Sequence, residues 1–166
     1  MITEFKNMPD SSRVLIYQAT RELNNDEVSG IIQRSNEFID TWKSHEKDLK
    51  ATIDVRYNRF VIIIIDETFE SVSGCSLDKS TRFIKGLEHE FQVAFFDRMN
   101  FAYKEINVVK SCNRSEFEHL ISEGLITEDT IVFNNLVANK KELGTNWEVP
   151  FRDSWHSNLF ALPQKV

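Results

Sequence analysis

The sequence predicts an α+β fold, and three observations carry that prediction. The run from Phe60 to Ile65, "FVIIII", is unbroken by any polar residue and reads as a strand buried on both faces. Just before it, Leu49, Ala51, Ile53, Val55 and Tyr57 alternate with Lys50, Thr52, Asp54 and Arg56, the period-two pattern of a strand with one wet face. Flanking segments carry apolar residues at three-to-four-residue spacing, the pattern of helices that bury one side.

Taken in order, "RVLIYQA" (13–19) reads as a first strand with apolar contacts on both faces. "NNDEVSGIIQRSNEFIDTWKSH" follows as a helix, with Asn25 or Asp26 as its cap and Val28, Ile31, Ile32, Ser35, Phe38, Ile39 and Trp42 on one face. The alternating strand and the Val-Ile strand come next, joined by a tight turn around Asn58 and Arg59 into a hairpin. A second helix, about 77–91, turns Ser80, Phe83, Ile84, Leu87 and Phe91 inward. "FDRMNFAYKE" and "INVVKS" read as one or two short strands, "SEFEHLISEG" as a third helix stopped by Gly124, and "TIVFNNLV" as a last strand.

The first part is therefore β-α-β-β-α-β, the ferredoxin-like split βαβ plan. That plan places the first and third strands in the centre of the sheet and the alternating one at an edge. The expectation is a single α+β domain over 1–166, with a core at about 12–110 and an extension at about 111–166. The extension adds a helix, a strand and a wrapping tail from about residue 139.

Charge and composition narrow the function. A chain of 166 residues with net charge −6 and no Lys/Arg run is not expected to bind nucleic acid, whose affinity rests on cations matched to phosphates. No segment approaches the ~20 apolar residues of a membrane span, and "MITEFKNMPDSS" has neither the basic flank nor the apolar stretch of a secretory signal. A cytoplasmic protein is expected, with Cys75 and Cys112 as free thiols, no C-x-x-C pair and no cofactor.

In a split βαβ unit, the end of the first helix, the start of the second strand, the end of the third strand and the start of the second helix meet at one end of the sheet. Trp42, His45, Asp66, Glu67, Ser73, Gly74, Cys75 and Ser76 are predicted to converge there, with Asp78 a turn further on. The loop "SVSGCSLDKST" (71–81) admits three readings. Gly74, Lys79 and Ser80 suggest a phosphate loop, but Asp78 stands where that loop has its second glycine and would repel the phosphate. A thiol at a helix N-terminus gains thiolate character, so Cys75 is a candidate nucleophile with His45 or His156 as its base. The third reading is a plain helix start with Cys75 in the core. Cys75, His45 and His156 could together supply three ligands to a transition metal, but no local spacing among them supports one. Asp66 and Glu67 close a buried strand, where carboxylates hold Mg²⁺, exchange protons or simply end the strand in solvent. The tail "WEVPFRDSWHSNLFALP" lacks helical or strand period, and it is expected to fold across the same end with Trp155 on apolar atoms and His156 near the loop.

The segments "SSRVLIYQATREL", "FIDTWKSHEKDLKA", "RFVIIIIDE", "SGCSLDKS", "FQVAFFDRMNFAY", "TIVFNNLV" and "WEVPFRDSWHS" resemble, in this order, a family of small bacterial proteins often labelled "ABC transporter ATPase". The resemblance covers nearly the whole chain and implies membership, and its pattern highlights Trp42, His45, Ser73, Gly74, Cys75, Asp78, Trp155 and His156. The label's activity needs a complete phosphate loop, an acidic strand motif and a signature loop, of which Gly74, Lys79 and Ser80 are the only trace. Two functions follow. One is a binding or protein-interaction module, a homo-oligomer or partner-binding protein that uses open sheet edges. The other is a cysteine-dependent enzyme or redox-sensitive protein using Cys75 with His45 or His156.

Overall fold

The structure, a computed structural model, describes residues 1–164. Its elements in chain order are β1 (Arg13–Gln18), α1 (Asn25–Thr41), β2 (Lys43–Ser44), β3 (Lys47–Asp48), β4 (Lys50–Arg56), β5 (Phe60–Asp66), α2 (Gly74–Phe91), β6 (Asn100–Glu105), β7 (Val108–Asn113), α3 (Arg114–Ser122), β8 (Ile131–Phe133), α4 (Lys140–Thr145), β9 (Glu148–Pro150) and α5 (His156–Leu159). Helix and antiparallel sheet are mixed, and no described helix is long and apolar enough to cross a membrane. Two compact units emerge: Met1–Phe96 with Ala138–Leu143, and Asp97–Val137 with the chain from Gly144 onward.

In the first unit β5 is the central strand, antiparallel to β1 on one side and to β4 on the other. Every residue of β5 is buried, as its unbroken apolar run requires. Val61, Ile63 and Ile65 share a core with Ala51 and Ile53 of β4, Ile31 and Ile39 of α1, and Ile84 and Leu87 of α2. α1 starts one residue earlier than the apolar face suggests. Asn24 accepts from the Glu27 N–H while the Glu27 carboxylate accepts from the Asn24 N–H, a reciprocal cap that neither Asn25 nor Asp26 offers. α2 likewise starts at Gly74, with Ser73 as its cap.

The ferredoxin-like order is not formed. β1 lies at the edge of a three-stranded sheet, half-buried over Leu15, Ile16 and Tyr17, and not in the centre of four strands. Its outer edge is met by Ala138 and Asn139: the Val14 N–H donates to the Ala138 carbonyl at 2.9 Å and Arg13 bridges Asn139. The place expected for the fourth strand is thus taken. β6 pairs instead with β7 across the two-residue turn Ile106–Asn107, a local closure with little loop entropy to overcome. The other edge of this sheet is covered too, since Ile2 bridges Ala51 of β4.

The second unit contains an antiparallel sheet ordered β7-β6-β8-β9. Its core joins Phe101 and Tyr103 of β6 to Phe117 and Ile121 of α3, with Val132, Phe151 and Phe160. The tail expected to be irregular is ordered here. Val149 of β9 pairs with Val132, and Trp147, fully buried, packs on Phe133 with ring centroids 5.1 Å apart. Three-residue strands are too short to show a period, which is why β9 escapes sequence patterning.

Candidate functional site

Part of the predicted grouping is found at the end of β5: Trp42 bonds to Ser76, Ser76 to Ser73, and Glu67 to the loop before α2, while His45, Gly74 and Cys75 lie exposed. Register places Lys50 opposite Asp66, with the ammonium 3.4 Å from the carboxylate. Burial disfavours the charged form of Asp66, but hydrogen bonds from the Thr68 side chain and backbone and from Lys50 outweigh it, and its pKa lies below the usual value. Glu67 accepts from Arg13 Nε at 3.0 Å and from the Val72 N–H at 2.9 Å. Both carboxylates therefore brace the turn, and neither is free of a partner.

α1 stops at Thr41 and the next residues form the β2–β3 hairpin, whose turn residues His45 and Glu46 take φ of 49° and 67°. No glycine marks that turn, so helical spacing carries the sequence reading through it to His45. Three hydrogen bonds tie the end of α1 and the hairpin to α2 and the loop before it, and a fourth caps α2 itself. Trp42 Nε1 donates to the Ser76 carbonyl at 3.0 Å, and Ser76 Oγ donates to the Lys43 carbonyl at 2.8 Å. Ser44 Oγ donates to the Ser71 carbonyl at 2.9 Å, and the Ser76 N–H donates to Ser73 Oγ at 3.1 Å. Trp42 and Ser76 are buried; Gly74, Cys75 and Asp78 lie exposed on the first turns of α2. Phe69, in the same loop, is 86% exposed.

The core reading of Cys75 is overturned, because its thiol faces solvent at the second residue of α2. Among the described residues it has no hydrogen bond to His45, which is itself exposed at the hairpin turn. His156 belongs to the second unit and is 2% exposed. Its Nδ1 lies 2.7 Å from Ser154 Oγ, its ring stacks on half-buried Trp155 at 3.8 Å, and Phe101 and Phe117 lie 6.2 Å away. Burial pushes the imidazole down to about 4, so it is neutral at ordinary pH. Trp155 Nε1 is buried with no hydrogen-bond partner among the described residues. The Ser154–His156 pair is a polar contact enclosed by aromatic rings.

Among the described residues no three His, Cys, Asp or Glu side chains gather to hold a metal ion. Cys112 contrasts with Cys75: it is 9% exposed, and burial followed by the nearby Glu116 charge pushes its thiol up to about 11. Iodoacetamide at mildly alkaline pH should therefore label Cys75 in the native protein and leave Cys112 intact until denaturant is added, as read by peptide mass spectrometry. Equal labelling of both thiols in the native state would contradict this placement.

Sequence reasoning passed over Ile106. It opens the turn of the β6–β7 hairpin at φ 58° and is 91% exposed, with Val108 beside it 57% exposed. A β-branched side chain is disfavoured in the left-handed region, so composition offers no signal for it beyond Asn107 next door. No family model matches this chain, and neither the curated proteins nor the solved structures include a match to it.

Proposed function

We propose that the chain is a cytosolic protein-interaction module without catalysis of its own, and that its β6–β7 hairpin pairs with the hairpin of a second copy. The observation that carries this reading is Ile106. A non-glycine residue in the left-handed region costs roughly 1–2 kcal/mol, and here that cost supports no packing, because the side chain points into solvent. The two-residue hairpin turn needs a positive φ at its first position, which glycine or asparagine meets at less cost, and an exposed isoleucine placed there instead favours a role in binding. β7 is also the terminal strand of its sheet, whereas the outer edges of β1 and β4 are each met by another segment. The charges of the hairpin, Glu105 and Lys110, pair with each other, so two copies related by a two-fold axis bring no net charge together. Light scattering across a concentration series is expected to show a mass rising to twice that of the chain. A monomer at every concentration would remove the reading.

A cysteine-dependent activity is the second reading, and the exposure of Cys75 is what favours it. It requires an alkylation midpoint at Cys75 well below the ordinary ~8.5 of a free thiol. The resemblance to the small bacterial family supports a proposal of membership, and no nucleotide hydrolysis is proposed with it.

A further inference from the structure

Helix α2 turns Ser76, Ser80, Ile84 and Leu87 into the first core, and on the opposite face Asp78, Lys79, Arg82, Lys85, Gly86 and His89 are all exposed. Many other cations of this unit are matched to carboxylates: Arg13, Arg21, Arg34, Lys43, Lys47, Lys50 and Arg56 are each ion-paired. Lys79, Arg82 and Lys85, at successive three-residue steps, form no ion pair among the described residues. The glutamates of the helix are engaged away from this stripe, Glu90 with Arg34 and Glu88 with the Phe95 N–H at 2.6 Å. Asp78 is the one carboxylate on the face, and it pairs with neither Lys79 nor Arg82. In a chain of net charge −6, a row of unmatched cations is a local reversal of sign.

Gly86 supplies an independent observation. A Cβ built there meets nothing within 4 Å, and its φ is not left-handed, so alanine would fit and would favour the helix by roughly 1 kcal/mol. The fold gives no reason for a glycine. On the exposed face, between Lys85 and the next turn, it leaves a bare stretch of helix where another backbone can come close. Lys85 also lies 5.9 Å from the ring centre of Phe96, a 40% exposed aromatic at the border of the face.

The geometry points to this face of α2 as the docking site for an acidic segment of another protein, its carboxylates pairing with Lys79, Arg82 and Lys85 and its backbone seated on Gly86. Charge complementarity selects that occupant. Nucleic acid is disfavoured because three cations on a net-negative chain neutralise too few phosphates. The inference is independent of the hairpin, whose residues it does not use.

Fluorescence anisotropy of a labelled polyglutamate peptide with the full chain tests it. Binding is expected at low salt, weakening steeply as salt is added. The charge reversal K79E/R82E/K85E is expected to reduce affinity by more than roughly tenfold. G86L, which keeps the cations and favours the helix, should raise the melting temperature and still weaken the peptide. No binding to the wild-type chain, or equal binding by the reversed variant, overturns the proposal. A single-stranded oligonucleotide that binds more tightly than polyglutamate with the same dependence on Lys79, Arg82 and Lys85 also overturns it, in favour of phosphate recognition.

Discussion

Trp42→Ala is expected to cost roughly 3–5 kcal/mol of stability, a large share of what a domain of this size possesses. Trp42 is 1% exposed, its ring lies 5.0 Å from that of Phe38, and its Nε1 donates to the Ser76 carbonyl. Removing it opens a cavity at the point where α1 ends, and it also cuts the bond that ties the β2–β3 hairpin to the start of α2. Trp42→Phe separates the two effects. It keeps the larger part of the packing while losing the N–H and a few ring carbons, so a smaller loss of about 1–3 kcal/mol is expected. Urea denaturation followed by far-ultraviolet circular dichroism measures both variants. A loss below about 1 kcal/mol for the alanine variant would show that the site collapses around the gap.

Acidification from pH 7 to 4 is expected to remove roughly 3 kcal/mol through His156 alone. Its folded pKa is lowered to about 4 from an ordinary 6.5, so between those values the unfolded chain binds the proton and the folded chain does not. Stability from this group is therefore complete above about 6.5, falls as pH drops through the window and is flat below about 4. Asp66 and Glu27, whose carboxyls are held below their ordinary values, act at lower pH: their contribution is present above the unfolded carboxylate range and is lost as pH falls through the folded values. Melting temperatures measured between pH 4 and 7 should fall steeply for the wild-type chain. In His156→Asn, which retains an amide beside Ser154, the slope across this window should largely disappear even if the starting stability is lower. An unchanged slope would assign the acid sensitivity to other groups.

How much of this was legible in the sequence depends on the range of each interaction. The hydrophobic runs of β5 and β4 and the apolar faces of α1 and α2 identify themselves, because burial on one or two faces imposes a local period. The convergence of Trp42, Asp66, Glu67, Ser73 and Ser76 followed from that order alone. The sheet order did not, because nothing within "NFAYKE" tells whether it pairs with β1 or with the segment just after it. What occupies the edge of β1 is Ala138–Asn139, more than a hundred residues away, with no strand pattern of its own. Cys75 was equally ambiguous: a cysteine one position from Ser76 is turned about 100° around the helix from it, and a shift of one residue in the cap decides which is buried. Ile106 was invisible for the opposite reason, since local preference argues against the conformation it adopts.

That conformation provides the most direct measurement. Ile106→Gly relieves the left-handed strain and removes the exposed side chain in one step. If the hairpin is an interaction element, the variant will be more stable by about 1 kcal/mol in urea denaturation of the monomer at low concentration, and light scattering will show that it no longer doubles its mass at high concentration. A variant that gains stability and still assembles like the wild-type chain would contradict the account.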